Sequence, residues 1–278
     1  MKITILIDNT PSDNKIFFAE KGLSIYIETS RRKILVDTGL TGKAFNNAAS
    51  MGIDISDVDI LVLSHGHIDH TGGLKRFINA NNKAKIYASS LIYSLEYYSN
   101  RHGKVHSLSP DYEVFKQNYN RFVLFKDNTE ICKDVYAVFN NTHLQPRPLG
   151  NKYLTVEERE TLKPYVANDE IALAIKKKEG LAIFSPCTHS GLLNIIPSCV
   201  EYTKEQTVQF FLGGLHLLDE EAEVENNYIC YMADSLLKLY PDIKLYTGHC
   251  TGKRACYYLS TVLKGNFIKF KTGDVYNL

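Results

Sequence analysis

Short apolar runs, rich in β-branched residues, alternate with turn residues and polar stretches along most of the chain. Runs of this kind predict β-strands. We expect strands at residues 3–7, 23–28, 33–36, 59–63, 85–88, 121–125, 135–139, 171–175, 181–184, 208–212, 244–246 and 267–270. Helical periodicity predicts helices at residues 43–51 and 227–239. Two strand-rich halves that each contain helices predict an α/β protein in which sheet packs on sheet with helices outside.

Two segments interrupt this alternation. Residues 89–120 are rich in tyrosine and in helix-compatible residues, which predicts an excursion from the sheet. Residues 141–168 are polar and contain the capping box Thr155-Val-Glu-Glu158, which predicts a short helix. This second segment is either a loop over a site or surface decoration. We expect one domain, residues 1–278, with elaborations at about 89–120 and 141–168.

Composition limits the classes of partner. Lys and Arg number 32 against 31 Asp and Glu, so the chain lacks the field that recruits nucleic acid or an anionic membrane. The apolar start is too short for a signal segment, and no later run reaches the length of a membrane span. Six scattered cysteines without a C-x-x-C pair indicate reduced thiols and a cytoplasmic protein. A small-molecule partner fits these observations, whereas oligomeric state has no sequence signature here.

The richest chemistry lies directly after the apolar strand at residues 59–63, in the segment His65-Gly-His-Ile-Asp-His70. Imidazole and carboxylate are the ligands that zinc and its neighbours prefer. Side chains two residues apart in an extended segment point to the same side, whereas adjacent ones diverge. One loop can therefore serve two metals, with His65 and His67 on one side and Asp69 and His70 on the other.

This His-x-His-x-Asp-His segment resembles the metal-binding motif of the metallo-β-lactamase superfamily, and Val36-Asp-Thr-Gly39 resembles that superfamily's upstream Asp motif. The resemblance implies an α/β fold, the metallo-β-lactamase-like αββα four-layer sandwich, with metals at one edge of its two sheets. It also implies that Asp37 orients a ligand histidine through the ring N–H. Redox di-iron relatives carry Glu at the second motif histidine, so His67 argues against oxygen reduction.

Later histidines complete the implied ligand set. His249, in a strand that runs into a Gly-rich turn, has the setting of the superfamily's last histidine ligand, and His189 matches a mid-chain ligand. His216 also follows a strand and is open between metal ligand, substrate contact, proton donor and structural histidine. His143 only weakly resembles a Pro-Gly-His turn of the superfamily and is set aside with His102 and His106, for which we expect exposure to solvent. The resemblance thus implies metal ligands His65, His67, Asp69, His70, His189 and His249, with catalytic roles for Asp69 and His216.

The match departs from the superfamily at one point, because the Gly-Asp that usually bridges the metals is not evident. Cys187 stands there, either as a ligand or as a small apolar packing residue. Asp169 is another candidate carboxylate, or an exposed residue at a strand start. The motifs around His189, His216 and His249 resemble the subgroup of dihydropterin-ribofuranosyl-aminobenzene phosphate synthase-like and dihydropteroate-synthase-like proteins.

A metal with an open position makes activated water available at neutral pH. The predicted function is a metal-dependent hydrolase of an ester, lactone, thioester or phosphoester small molecule. We expect two zinc ions, although iron and manganese suit the same donors. Two alternatives are a metal-dependent synthase or transferase in pterin metabolism and a non-catalytic, metal-bearing ligand-binding protein.

Overall fold

The computed structural model describes residues 1–140, 144–219 and 222–278. The chain divides into two compact units. The first comprises Met1–Lys126, Thr155–Lys163 and Phe270–Leu278, and the second comprises Asp127–Leu154 and Pro164–Lys269. The expectation of one domain over residues 1–278 stays a prediction.

The described residues form strands and helices in the following order. The strands are β1 Lys2–Ile7, β2 Ser24–Glu28, β3 Lys33–Val36, β4 Ile60–Val62, β5 Lys85–Ser89, β6 Glu96–Ser99, β7 His106–Ser107, β8 Phe122–Phe125, β9 Thr129–Cys132, β10 Val135–Phe139, β11 Leu154–Glu158, β12 Thr161–Pro164, β13 Ile171–Lys177, β14 Gly180–Phe184, β15 Val208–Leu212, β16 Lys244–Thr247, β17 Phe267–Lys269 and β18 Val275–Asn277. The helices are α1 Ala44–Ser50, α2 Ile68–Thr71, α3 Leu74–Ala80, α4 Tyr112–Gln117, α5 Leu192–Thr203, α6 Ala222–Leu239 and α7 Lys253–Leu263.

The first unit is built on a sheet with strand order β18-β1-β2-β3-β4-β5-β8. Strands β3, β4, β5 and β8 run parallel, so their carboxyl ends share one edge. Apolar residues of the helices pack on this sheet, for example Phe45 of α1 and Phe77 of α3 in one cluster with Leu35 and Leu61. This buried core holds the strand ends from which the first group of candidate residues extends.

A small sheet with strand order β12-β11-β6-β7 occupies both predicted elaborations. The helix predicted at Thr155 is therefore wrong, because that residue lies in strand β11. Leu154 and Val156 are buried while the residues between and after them are half-exposed, and this alternation with a period of two is typical of a strand. Strand pairing has overridden a local capping pattern. The tyrosine-rich segment likewise contains β6 and β7, in addition to α4.

The second unit is built on a sheet with strand order β17-β16-β15-β14-β13-β10-β9. Strands β14 to β17 run parallel. Helices α5, α6 and α7 contribute residues such as Ile196, Met232 and Leu259 to one buried cluster with Ile183 and Phe211 of the sheet. The carboxyl ends of three adjacent parallel strands, β14, β15 and β16, therefore lie side by side on a rigid support.

The predicted strands outside the elaborations agree with strands of the structure, whereas strand β9, between the two elaborations, was not predicted. Helix α6 begins at Ala222, five residues before the predicted start at 227, and neither α7 nor the last strand β18 was predicted. Within the described ranges, none of the helices combines the length and apolar character that crossing a membrane requires.

Candidate metal centre

In the first unit, Asp37 and Ser64 follow the parallel strands β3 and β4. The backbone N–H of Asp37 donates to the carbonyl of Val62 at 2.9 Å, which continues the pairing of the two strands beyond their ends. The backbone N–H of Ser64 in turn donates to Asp37 Oδ1 at 2.7 Å. The carboxyl edge of a parallel sheet is where such proteins carry ligand sites.

Asp37 fixes the ring state of two histidines. Its Oδ2 accepts from His70 Nδ1 at 2.7 Å and from the Ser64 hydroxyl at 2.7 Å. Because the Ser64 proton is directed to the carboxylate, the Ser64 oxygen is left to accept from His65 Nδ1 at 2.9 Å. The Nε2 atoms of His65 and His70 therefore present lone pairs, the form that binds a metal. The resemblance implied that Asp37 orients a ligand histidine, and Asp37 does contact the motif histidine His70.

Candidate ligand atoms in this unit lie in pairs. His65 Nε2 is 3.0 Å from His67 Nδ1, and His70 Nε2 is 4.0 Å from Asp69 Oδ1. Two atoms bonded to one zinc ion at about 2.0–2.2 Å each are at most about 4.3 Å apart. Both separations fit that limit, and all four residues are buried. The donor set of the first unit fits a bound metal.

Gly66 allows the loop to pass against a buried tyrosine. A Cβ at position 66 would lie 2.3 Å from ring atoms of Tyr97, which is fully buried. The Tyr97 ring meets the His67 ring edge-on at a centroid distance of 5.4 Å. The glycine therefore lets Tyr97 support His67 from the side.

In the second unit, three motifs follow the parallel strands β14, β15 and β16. His189 lies beyond β14, His216 beyond β15 and His249 beyond β16. Backbone hydrogen bonds from Ser185 to Leu212 at 3.1 Å, and from Gly213 to Tyr246 at 3.0 Å, extend the sheet to these turns. The topology of the unit thus places the three predicted histidines at one sheet edge.

His189 is held through its ring and its backbone. Asn151, in a 3₁₀ turn at Leu149–Tyr153, places Oδ1 3.0 Å from His189 Nδ1 and donates from Nδ2 to the His189 carbonyl at 2.7 Å. The buried Glu170 carboxyl accepts from the backbone N–H groups of His189 and Ser190, each at 2.7 Å. Burial raises the pKa of Glu170 to about 7, although these N–H groups act to lower it.

Two cysteine thiols lie close to the imidazole rings of this unit. Candidate ligand atoms of Cys187, His189 and His216 lie within 4.8 Å of one another, and so do those of Cys187, His249 and Cys250. The rings of His189 and His216 are 4.2 Å apart at their centroids. Neither ring nitrogen of the nearly buried His216 has a hydrogen-bond partner among the described residues. A buried imidazole in this state fits a role toward a metal or a substrate.

Four residues in the turns after the parallel strands have a left-handed backbone conformation. Asp37, Thr188, His216 and His249 have φ values of 58°, 58°, 48° and 52°, in the left-handed region that non-glycine residues rarely adopt. Each such residue costs about 1–3 kcal/mol and persists only where the surroundings impose it. The turns therefore impose the backbone conformation, and with it the side-chain direction, of His216 and His249.

Comparison with known proteins gives the family. The sequence profile of the metallo-β-lactamase superfamily matches residues 19–144. An uncharacterized protein of Methanocaldococcus jannaschii is 30% identical over 281 residues, covering 98% of this chain and 98% of that protein. The crystal structure of Tm1679, a metal-dependent hydrolase of the β-lactamase superfamily, matches with a TM-score of 0.83 at 24% identity, covering 100% of this chain and 99% of that one. The chain belongs to the metallo-β-lactamase superfamily.

Membership confirms the predicted fold class, the α/β metallo-β-lactamase-like αββα four-layer sandwich. The subgroup resemblance is also confirmed by a second relative from M. jannaschii. This protein is named 7,8-dihydropterin-6-methyl-4-(beta-D-ribofuranosyl)-aminobenzene-5'-phosphate synthase and is 27% identical over 291 residues, covering 99% of this chain and 96% of its own length. The synthase reaction in this name is that of the relative.

The sequence interpretation missed several residues of this superfamily site. Asn151 and Glu170 belong to no recognisable motif, and Cys250 was not singled out as a candidate. Asp169 is fully buried, so of its two interpretations the one as an exposed residue at a strand start is wrong. His143 lies outside the described residues.

Proposed function

We propose that the chain is a metal-dependent hydrolase that uses metal-activated water on an ester, lactone, thioester or phosphoester small molecule. The proposed ligands are those predicted from the sequence: His65, His67, Asp69, His70, His189 and His249. The observation that carries the proposal is that Nδ1 of His65, His70 and His189 is held by Ser64, Asp37 and Asn151 respectively, which is how proteins orient the ring of a ligand histidine. Superfamily membership and the donor spacing in each unit support it.

The donors present suit zinc, and we propose two zinc ions, with iron and manganese as the other metals that accept imidazole and carboxylate. When bound, such an ion acts as a Lewis acid that polarises a substrate oxygen and lowers the pKa of water from about 16 to about 7. The carboxylate of Asp37 adds to this fit, because a carboxylate behind a ligand imidazole raises its basicity.

The remaining chemistry falls to residues of the chain itself. Asp69 is mostly buried yet retains some exposure, so its carboxylate can accept the proton of an attacking water and pass it on. His216, with both ring nitrogens lacking a described partner, is proposed to donate a proton to the departing group. Asp37 and Asn151 hold the rings of His70 and His189 with Nδ1 turned towards the protein, the orientation of a ligand histidine.

A substrate panel tests the proposal. The zinc-loaded protein is assayed with a simple aryl ester, a lactone, a thioester and a phosphodiester, alongside His67→Ala and the matched variant His106→Ala, whose histidine is exposed on β7. We expect turnover of at least one class, a loss of kcat/KM of about 100-fold or more in His67→Ala, and wild-type rates in His106→Ala. No turnover of any class, or equal rates in His67→Ala, would exclude the hydrolase.

A second function is favoured by one specific observation. The synthase-named relative matches along the whole chain, so a metal-dependent synthase or transferase in pterin metabolism is the alternative. A fluorescent pterin that copurifies, or that binds and is converted with a phosphoribosyl-type partner, would favour this reaction over hydrolysis. Tight binding without any conversion would instead indicate the non-catalytic, metal-bearing ligand-binding protein.

We also propose a cytoplasmic location and a small-molecule substrate, with neither nucleic acid nor membrane as a partner. The near balance of 32 basic and 31 acidic residues supports this choice of partner, because no long-range field favours a polyanion.

A further inference from the structure

Cys187 and Cys250 bring two thiols together at the sheet edge of the second unit. Their Sγ atoms are 3.4 Å apart, although 63 residues separate them in sequence. A disulfide would require about 2.05 Å, and both residues are reduced. Two sulfurs bound to one zinc ion at about 2.3 Å each are at most about 4.6 Å apart. The pair therefore has a separation that suits shared ligation of one ion.

The Cys250 sulfur packs directly against the backbone of Gly214. A Cβ at Gly214 would lie 2.5 Å from Cys250 Sγ, so this position accepts only a residue without a side chain. The backbone N–H of His216 donates to the same sulfur at 3.2 Å. Donation to sulfur favours the thiolate, the form in which cysteine binds a metal.

The surroundings of the two thiols differ from those of a packing cysteine. Cys199 is fully buried within the large apolar cluster of the second unit. Cys187 and Cys250 lie instead among nitrogen donors, with ligand atoms of Cys187, Cys250 and His249 within 4.8 Å of one another. Cys187 also belongs to the group with His189 and His216, at the same limit. Its position links the two groups of donors.

We propose that Cys187 and Cys250 bind one of the proposed metal ions through sulfur, together with His249. This inference rests on the proposed metal-dependent function and adds a mixed sulfur and nitrogen donor set to it. Each thiol releases its proton to solvent when the metal binds. Thiolate ligands select zinc, cobalt or ferrous ions over manganese and magnesium, which prefer oxygen donors. The metal choice of the protein is then set by these two cysteines.

Cobalt substitution tests the proposal without reference to catalysis. The metal-free protein is titrated with Co²⁺, and absorption is recorded in the near ultraviolet, where thiolate-to-cobalt charge transfer appears, and in the visible. We expect a charge-transfer band in the wild type, about half of it in Cys187→Ser and in Cys250→Ser, and none in the double variant. Cys132→Ser is the matched control, because Cys132 is half-buried at the end of β9, remote in sequence from both thiols, and is expected to keep the full band.

The outcomes separate this inference from the function on which it rests. If Co²⁺ binds with its visible bands but without charge transfer in the wild type, sulfur ligation is wrong while the metal centre stands. If Co²⁺ does not bind at all, both are wrong. Circular dichroism of the metal-free serine variants checks their folding. If the variants unfold, the charge-transfer band of the wild type alone tests sulfur ligation.

A thiol reagent gives a second readout. Zinc is expected to slow modification of two cysteines, and an unchanged rate would contradict the proposal.

Discussion

Asn151 contacts His189 at two points, the ring Nδ1 at 3.0 Å and the backbone carbonyl at 2.7 Å. Because a carbonyl only accepts, the Asn151 Nδ2 must face it, and Oδ1 must then face the ring. The His189 imidazole is thereby held with its proton on Nδ1. His70 receives the same support from a carboxylate, Asp37, so the two units hold their candidate ligand histidines with acceptors of different charge.

Replacing Asn151 with Ala removes the acceptor and the backbone contact together. We predict that metal affinity falls about 10–100-fold, the usual cost of losing an outer partner of a ligand histidine. Competition with a chromophoric chelator measures this affinity. Lys152→Ala in the same turn, where the side chain is exposed, is expected to bind metal like the wild type. Equal affinities in the two variants would rule out the positioning role of Asn151.

Asp37 accepts hydrogen bonds from Ser64 and His70 while fully buried. Asp37→Ala leaves these donors without an acceptor, and we predict a loss of about 3–5 kcal/mol in the free energy of unfolding of the metal-free protein. Urea denaturation provides the value. Asp57→Ala, at an exposed ion pair with Lys33, should leave stability nearly unchanged. A fall in stability no larger than that of Asp57→Ala would contradict the network described for Asp37.

Gly66 and Gly265 offer a matched pair of substitutions. An alanine Cβ at position 66 would press on the Tyr97 ring at 2.3 Å, whereas one at Gly265 meets nothing within 4 Å. We predict that Gly66→Ala destabilises the protein by about 1–3 kcal/mol through overpacking. Gly265→Ala is expected to be neutral or slightly stabilising. Thermal unfolding distinguishes the two, and equal melting temperatures would mean that the loop does not rely on this close approach.

Glu170 is the acceptor for two buried backbone N–H groups, those of His189 and Ser190. Glu170→Ala leaves both unpaired, so we predict a loss of about 2–5 kcal/mol in the free energy of unfolding. Glu170→Gln keeps one acceptor oxygen and should fall between Ala and the wild type. The exposed Glu179 in the turn between β13 and β14 provides the control Glu179→Ala, with little expected effect. Denaturant midpoints that follow any other order would exclude this role.

The sequence predicted the local features well. Apolar runs mark the parallel strands whose carboxyl ends carry the site, and the segment from His65 to His70 concentrates its donors within a few residues. Both patterns lie within a few consecutive residues, so they can be recognised without knowledge of the fold. His189, His216 and His249 could be selected because each follows such a strand and because the resemblance to the superfamily implies histidines in that setting.

The remaining features depend on contacts between distant residues. Asn151 and Glu170 precede His189 by 38 and 19 residues, and neither residue type marks a metal site by itself. Strand β11 contains the capping box at Thr155, and only pairing with other strands overrides that local preference. The 3.4 Å approach of Cys187 to Cys250 likewise follows from parallel strand order, which spacing in the sequence does not reveal.

We propose that the histidine groups of both units bind metal. Elemental analysis of the purified protein measures this as the metal content per chain. We predict two ions per chain in the wild type and fewer in both His65→Ala and His249→Ala, with His106→Ala retaining two. A wild-type protein that holds no tightly bound metal after zinc loading, or variants that retain the full content, would contradict the account.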